Sequence, residues 1–287
     1  MKNLYFKKLA IIGVGLIGGS LAIDCKKNGL AKEVIGYGRS EENLKKAVSL
    51  GVIDRYDLNV EKVVEGADLI VLATPIGSYL ETVKKFLSSV SPQAILTDVG
   101  SVKGKIVKDL EPILQNIKFV PGHPIAGREK SGVESAIPGL FKGARCILTP
   151  TESTDHDSLD VIKRLWERVG AVVSYLEPRE HDEIFGMVSH IPHLVAYAMV
   201  NTVLAMEQEN KKLVSFSGGG FRDFTRIGAS SPEMWKDIFL ANRDIVLNQI
   251  GQYETVLARL KKDIEDGNET ALLQEFEKSK KLRESLN

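Results

Sequence analysis

Gly13-Val14-Gly15-Leu16-Ile17-Gly18 constrains this 287-residue chain more than any other stretch. It directly follows the apolar run Leu9 to Ile12 and opens a segment, Ile17 to Lys27, whose apolar residues recur with helical spacing. Strand, tight turn and helix in that order give each glycine a separate task. Gly13 permits the turn, Gly15 lets a pyrophosphate approach the backbone, and Gly18 lets helix and strand pack closely, with the anion held at the N-terminus of the helix beside Leu16 and Ile17. A dinucleotide is implied.

The alternation continues. Val34–Tyr37, Leu69–Thr74, Ala94–Asp98, Phe119–Pro121, Arg145–Thr149 and Val172–Leu176 read as short strands, separated by amphipathic helices such as Tyr79–Val90 and Lys105–Gln115. This predicts an α/β fold with an N-terminal Rossmann-type, doubly wound and mostly parallel sheet. After Glu177-Pro178 no β-rich run follows, and Asp182–Glu207, Pro232–Asp263 and Glu269–Ser285 show long helical periods. The expected organisation is a dinucleotide-binding domain over residues 1–176 and an all-helical domain over 177–287. Residues Leu194–Met206 are apolar on several sides, which suits burial within that domain or against a second subunit.

Composition narrows the partners. Lys plus Arg and Asp plus Glu both number 38, so no global basic field exists to hold nucleic acid. Cys25 and Cys146 are far apart and form no Cys-x-x-Cys pair, which argues against a disulfide scaffold or a thiolate zinc site and suggests a reducing, cytoplasmic compartment. The N-terminus lacks the features of a signal peptide, and the chain is read as having no uncharged apolar stretch of about 18 residues, so no membrane span is expected. His181, Asp182, Glu183, His190 and His193 match no His-x-x-x-His ligand pair, and no metal is expected.

At the end of the second strand, where a carboxylate would bind the ribose of NAD, the chain has Gly38-Arg39-Ser40. Arg39 and Ser40 are placed to meet a 2′-phosphate, so NAD and NADP both stay open; Glu41 and Glu42 suit the start of a helix. Thr74-Pro75 and Asp98-Val99-Gly100-Ser101 lie at carboxyl ends of later strands, where an open α/β sheet gathers its ligands, and they serve equally well as turns and caps.

Three further segments are specific: Asp98-Val99-Gly100-Ser101-Val102-Lys103, Pro121-Gly122-His123-Pro124-Ile125-Ala126-Gly127 and Phe221-Arg222-Asp223-Phe224-Thr225-Arg226-Ile227. With Ser189-His190-Ile191-Pro192-His193 and Ser230-Ser231-Pro232-Glu233-Met234-Trp235, they resemble the prephenate dehydrogenase family over essentially the whole chain. The resemblance implies hydride transfer from C4 of prephenate to NAD or NADP, loss of the ring carboxylate as carbon dioxide, and 4-hydroxyphenylpyruvate as the product, on the way to tyrosine. An arogenate dehydrogenase uses the same chemistry on an amine-bearing substrate; a non-catalytic NAD(P)-sensing regulator is the rival from another class.

A secondary alcohol losing hydride needs an acceptor for its hydroxyl hydrogen, and imidazole is matched to neutral pH. His123 is the expected acceptor, where the family's catalytic His falls, on an exposed position following a strand, with Ser101 orienting its ring and contacting the nicotinamide. Two substrate carboxylates call for fixed cations. By resemblance Arg226 supplies one and His193 contacts substrate, with Arg222 and Lys236 as weaker alternatives and His190 structural. Glu129 and Lys130 are candidates to gate the cleft, and Ser217-Gly218-Gly219-Gly220 reads as a hinge. A monofunctional homodimer joined through the helical domain is expected, with any tyrosine inhibition acting at the active site.

Overall fold

The computed structural model describes residues 4–114, 116–127, 132–207 and 212–286. By packing, the chain forms two compact units, Met1–Asn242 and Arg243–Asn287. In the first, strands β1 (Phe6–Ile12), β2 (Ala31–Tyr37), β3 (Arg55–Tyr56), β4 (Leu69–Leu72), β5 (Ile95–Asp98) and β6 (Lys118–Val120) form one parallel sheet in the order β3-β2-β1-β4-β5-β6. Helices α1 (Leu16–Lys27), α2 (Glu41–Ser49), α3 (Val60–Val64), α4 (Tyr79–Phe86) and α5 (Gly104–Leu114) make the crossovers. Both faces are covered, so the strands are apolar throughout rather than alternating. Leu9, Ile11, Leu69 and Val71 join the core on one face; Ala10, Ile12, Ile70 and Leu72 join the core on the other.

Two strands expected in that sheet lie elsewhere. β7 (Gly122–Pro124), β8 (Arg145–Leu148) and β9 (Val172–Tyr175) make a separate three-stranded sheet, β7 antiparallel and β9 parallel to β8, with α6 (His156–Arg168) before β9. The cause is Pro121, which has no N–H to continue the parallel ladder. The chain leaves β6 there and enters β7 at once. His123 is therefore a half-buried strand residue and not the exposed one expected.

The helical segment runs from α7 (Pro178–Phe185) through a π-helical turn at Gly186–His190 into α8 (Ile191–Glu207). It begins earlier than expected because Pro178 occupies the first turn, where its missing N–H costs nothing. Residues 184–206 carry no Asp, Glu, Lys or Arg, which corrects the expectation that no such run exists; by length and composition this helix could cross a membrane. Two of its polar side chains are engaged within the protein, His190 with Asn242 and His193 with the Ser189 carbonyl. After α9 (Gly219–Thr225) comes α10 (Pro232–Ala241), and the single helix expected over 232–263 is broken at Asn242, whose side-chain amide is drawn to the Asp182 carbonyl at 3.0 Å.

The second unit is a pair of helices, α11 (Arg243–Glu265) and α12 (Glu269–Glu284), turned at Gly267 with φ of 65° and capped by Asn268, which accepts from the Ala271 N–H. Leu257, Ile264, Leu273, Phe276 and Leu282 remain exposed on it.

Candidate active site

The three glycines of the first loop are constrained in different ways. At Gly13 φ is +107°, and a Cβ would sit 2.5 Å from the Ala73 carbonyl; at Gly18 a Cβ would sit 2.3 Å from the Gly13 carbonyl oxygen. The protein's own packing demands those two. Gly15, with an ordinary φ of −113°, has nothing within 4 Å of a Cβ, so the space beside it is open, and it caps α1 where Leu16 and Ile17 supply first-turn N–H groups that have no intrahelical acceptor. No acidic residue fills the first turn of α1. This open, amide-lined cradle fits a pyrophosphate. Gly15→Ala is accordingly expected to weaken NAD(P) binding about tenfold, or ~1.4 kcal/mol, by titration. The Tm of the cofactor-free protein should move by less than about 2 °C, because the methyl meets no protein atom.

Around the cradle, Thr74 and Pro75 follow β4, and Thr74 Oγ1 accepts from Ser78 Oγ at 2.9 Å. Exposed Arg39 pairs with Glu233 at 3.7 Å, a solvated contact of little energetic weight. Ser40 caps α2, its Oγ accepting from the Asn43 N–H, so its hydroxyl already has a structural task.

At the carboxyl edge of the same sheet lies a buried charge pair. Lys103, fully buried, donates from Nζ to Asp98 Oδ2 at 2.5 Å and to the Gly122 carbonyl at 2.6 Å. Asp98 also accepts from the N–H groups of Gly100 and Gly122, at 2.8 and 3.1 Å. The pair thus clamps β5 to the residue preceding His123. Burial pulls the Lys103 ammonium down and Asp98 opposes it.

His123 Nδ1 lies 2.8 Å from His181 Nε2, and His181 Nδ1 lies 2.8 Å from Asp182 Oδ1. Asp182 accepts from the backbone N–H groups of Lys103 and Gly104, at 2.7 and 2.8 Å, which fastens α7 to the start of α5. Phe185 packs on both rings, with centroids 5.1 Å from His123 and 4.6 Å from His181. Burial first, then His181 and Lys103, hold the His123 imidazole well below its usual range, in its neutral form. The orienting partner expected at Ser101 is instead His181. Among the described residues no hydrogen bond joins Ser101 to His123; half-buried Ser101 stands in the turn between Asp98 and Gly104. His181, Asp182 and Lys103 escaped assignment from sequence, although the adjacent His181-Asp182 dipeptide was the available signal, and Asp98, read from sequence as a ligand-contact or turn residue, is the partner of Lys103.

On α8, half-buried His193 donates from Nδ1 to the Ser189 carbonyl at 2.9 Å and stacks on Trp235, with centroids 3.8 Å apart. Its Nε2 therefore points its lone pair away from the helix backbone. Burial lowers its pKa, and the nearby Arg226 guanidinium adds to the shift. Trp235 also packs edge-on against buried His190, which supports the structural reading of His190. Arg226 is exposed and opens a single 3₁₀ turn, Arg226–Ala229. Arg222 is exposed on α9, and Lys236 pairs with Asp237 at 3.1 Å. Gly218 caps α9 while Gly219 and Gly220 belong to its first turn, so the expected hinge is helical in large part. Glu129 and Lys130 lie outside the described residues. Among the described residues no group of three His, Cys, Asp or Glu is arranged to hold a metal ion.

Two family models match the chain: prephenate dehydrogenase, nucleotide-binding domain, over residues 21–175, and prephenate dehydrogenase, dimerization domain, over residues 177–278. Prephenate dehydrogenase of Bacillus subtilis (strain 168) is 37% identical over 97% of this chain and 76% of its own length. A crystal structure of prephenate dehydrogenase from A. aeolicus, in complex with hydroxyphenyl propionate and NAD+, superposes with a TM-score of 0.94 at 43% identity, covering 100% of both chains. Synechocystis arogenate dehydrogenase superposes with a TM-score of 0.79 at 30% identity, over 98% of this chain and 100% of that one. With family models matching both halves and a 37% identical relative covered over 76% of its length, the chain belongs to the prephenate dehydrogenase family.

Proposed function

We propose that this chain oxidatively decarboxylates prephenate to 4-hydroxyphenylpyruvate, in tyrosine biosynthesis, with residues 1–176 binding the dinucleotide and 177–287 supplying the substrate side and the dimer contact. The observation that carries the reading is the neutral, half-buried His123 imidazole at the carboxyl edge of the sheet that bears the Gly13–Gly18 cradle. Bound NAD(P)+ supplies the hydride acceptor for C4. His123 accepts the hydrogen bond of the C4 hydroxyl, drawing electron density toward oxygen as the hydride departs. Arg226 binds a substrate carboxylate, His193 contacts the substrate through Nε2, and Ser101 contributes to the nicotinamide end of the site with Thr74 and Pro75. Departure of the ring carboxylate as carbon dioxide leaves its electron pair in the ring and aromatises it, the oxygen regains its hydrogen from His123 to give the phenol, and the loss of carbon dioxide makes the reaction irreversible.

Purified protein assayed by absorbance of reduced cofactor, with prephenate and arogenate each paired with NAD+ and NADP+, tests this directly. Turnover of prephenate is expected; arogenate turnover in its place would favour the second reading, which the Synechocystis relative supports. Both cofactors are expected to work, because Arg39 follows β2, the strand whose end meets the adenosine ribose in folds of this kind, and its exposed pair with Glu233 leaves it able to turn to a 2′-phosphate. Arg39→Ala should raise KM for NADP+ about tenfold and leave KM for NAD+ nearly unchanged. Arg226→Ala should raise KM for prephenate by about 10²-fold with a smaller change in kcat; an unchanged KM would remove Arg226 from the site.

The exposed apolar residues of the helical region, among them Val188, Leu204, Leu247 and Leu257, fit a homodimer contact. Free, buried Cys25 and Cys146 suit the reducing cytoplasm.

A further inference from the structure

We propose that Asp182 and His181 form a tautomer-setting relay behind His123, positioning residues that keep the His123 Nε2 lone pair turned to the substrate hydroxyl. The inference rests on His123 being the hydrogen acceptor and names what prepares it for that role.

The argument runs outward from Asp182. An ionised carboxylate only accepts hydrogen bonds. Asp182 takes two from backbone N–H groups, of Lys103 and Gly104, at the start of α5, where a negative charge is favoured. Its third partner, His181 Nδ1 at 2.8 Å, must then be a donor. Burial disfavours the His181 cation, so its second nitrogen, Nε2, carries a lone pair. That lone pair faces His123 Nδ1 at 2.8 Å, and the contact is a hydrogen bond only if the His123 proton sits on Nδ1. Nε2 of His123 is left as an acceptor. An unassisted imidazole favours the opposite tautomer, with the proton on Nε2, which would present a donor to the hydroxyl and block the reaction. The relay therefore selects the reactive form, and Phe185, packed on both rings, fixes their orientation.

The groups facing His123 are consistent with this division of labour. The Asp182 charge stands behind His181, Lys103 is compensated by Asp98, His190 is buried and neutral, and the Cys146 thiol is pushed up by burial and stays protonated. As the hydroxyl hydrogen moves toward His123 Nε2, the positive charge developing on the ring meets a chain of acceptors ending in a carboxylate.

The test combines a spectrum with kinetics. The chain has 5 His, so long-range ¹H–¹⁵N correlation of ¹⁵N-histidine protein resolves each ring, with His123→Asn giving the assignment. Wild-type His123 is expected as the Nδ1–H tautomer. In His181→Phe, which keeps the ring shape and removes the acceptor, the His123 signal should move toward the Nε2–H form. Prephenate kcat should fall about 10²-fold with KM for substrate and cofactor within about threefold. His181→Gln, whose Oε1 can take the place of Nε2 as acceptor, should restore the Nδ1–H form and most of kcat. An Nε2–H tautomer in the wild-type protein overturns the relay without any variant having to fold, as does an unchanged spectrum and kcat in His181→Phe. Failure of the wild-type protein to oxidise prephenate with either cofactor instead overturns the functional reading, and the tautomer measurement stands apart from it.

Discussion

His123→Asn is expected to lower kcat for prephenate by about 10³-fold while leaving KM for prephenate and cofactor within about threefold. Asn keeps a polar group in the strand position but has no nitrogen lone pair at the reach of Nε2, so hydride loss proceeds without an acceptor for the hydroxyl hydrogen. The substrate's carboxylates are held elsewhere, by Arg226 in the proposed site, so binding should survive. The pH profile sharpens the expectation. Burial, His181 and Lys103 together hold the imidazole neutral well below its usual value of 6.5. The base is active when deprotonated, so kcat of the wild-type enzyme should persist as pH falls through 6.5 and decline only at lower pH. His123→Asn should lack that acid limb. A variant retaining a tenth or more of wild-type kcat would sink the assignment.

The nucleotide half was readable from sequence because its determinants are local. A glycine pattern of fixed spacing, four-residue apolar runs such as Leu69–Leu72 and the loss of β-rich segments after Pro178 all act within a window of a few turns. What escaped was set by contacts distant in sequence. His123 and His181 are 58 positions apart, and nothing in either neighbourhood states that their rings meet. The His181–Asp182 pair was legible only as a metal cluster to be rejected, whereas its real partners are backbone N–H groups at the start of α5. The break at Asn242 is similar. Helical periodicity runs through it, but its amide satisfies the Asp182 carbonyl and approaches His190 Nδ1 at 3.2 Å, and that buried bonding outweighs one residue of helix propensity. Pro121 was visible, yet its consequence, the handing of His123 to a second sheet, depends on β8 being there to receive it.

The buried Lys103–Asp98 pair carries the largest expected effect on stability. Lys103→Met keeps most of the side-chain volume and removes the charge, leaving Asp98 in the interior with two backbone N–H donors and no counter-charge. It also strips the Gly122 carbonyl of its 2.6 Å donor. Breaking a buried pair from one side costs about 3–5 kcal/mol, which in a protein of this size corresponds to a drop in Tm of roughly 10 °C. The double variant Asp98→Asn with Lys103→Met should recover part of that loss, since the orphaned charge is gone while the amide oxygen still accepts from one of the two N–H groups, of Gly100 or Gly122. Calorimetry of the three proteins decides the point. If the single and double variants lose the same stability, the pair's charges are not coupled and Lys103 matters only as packing. If Lys103→Met is as stable as wild type, the clamp between β5 and Gly122 is dispensable. The reason to expect otherwise is positional: the Gly122 carbonyl it grips belongs to the residue that precedes His123, so the same ammonium that neutralises Asp98 also fixes where the His123 side chain begins.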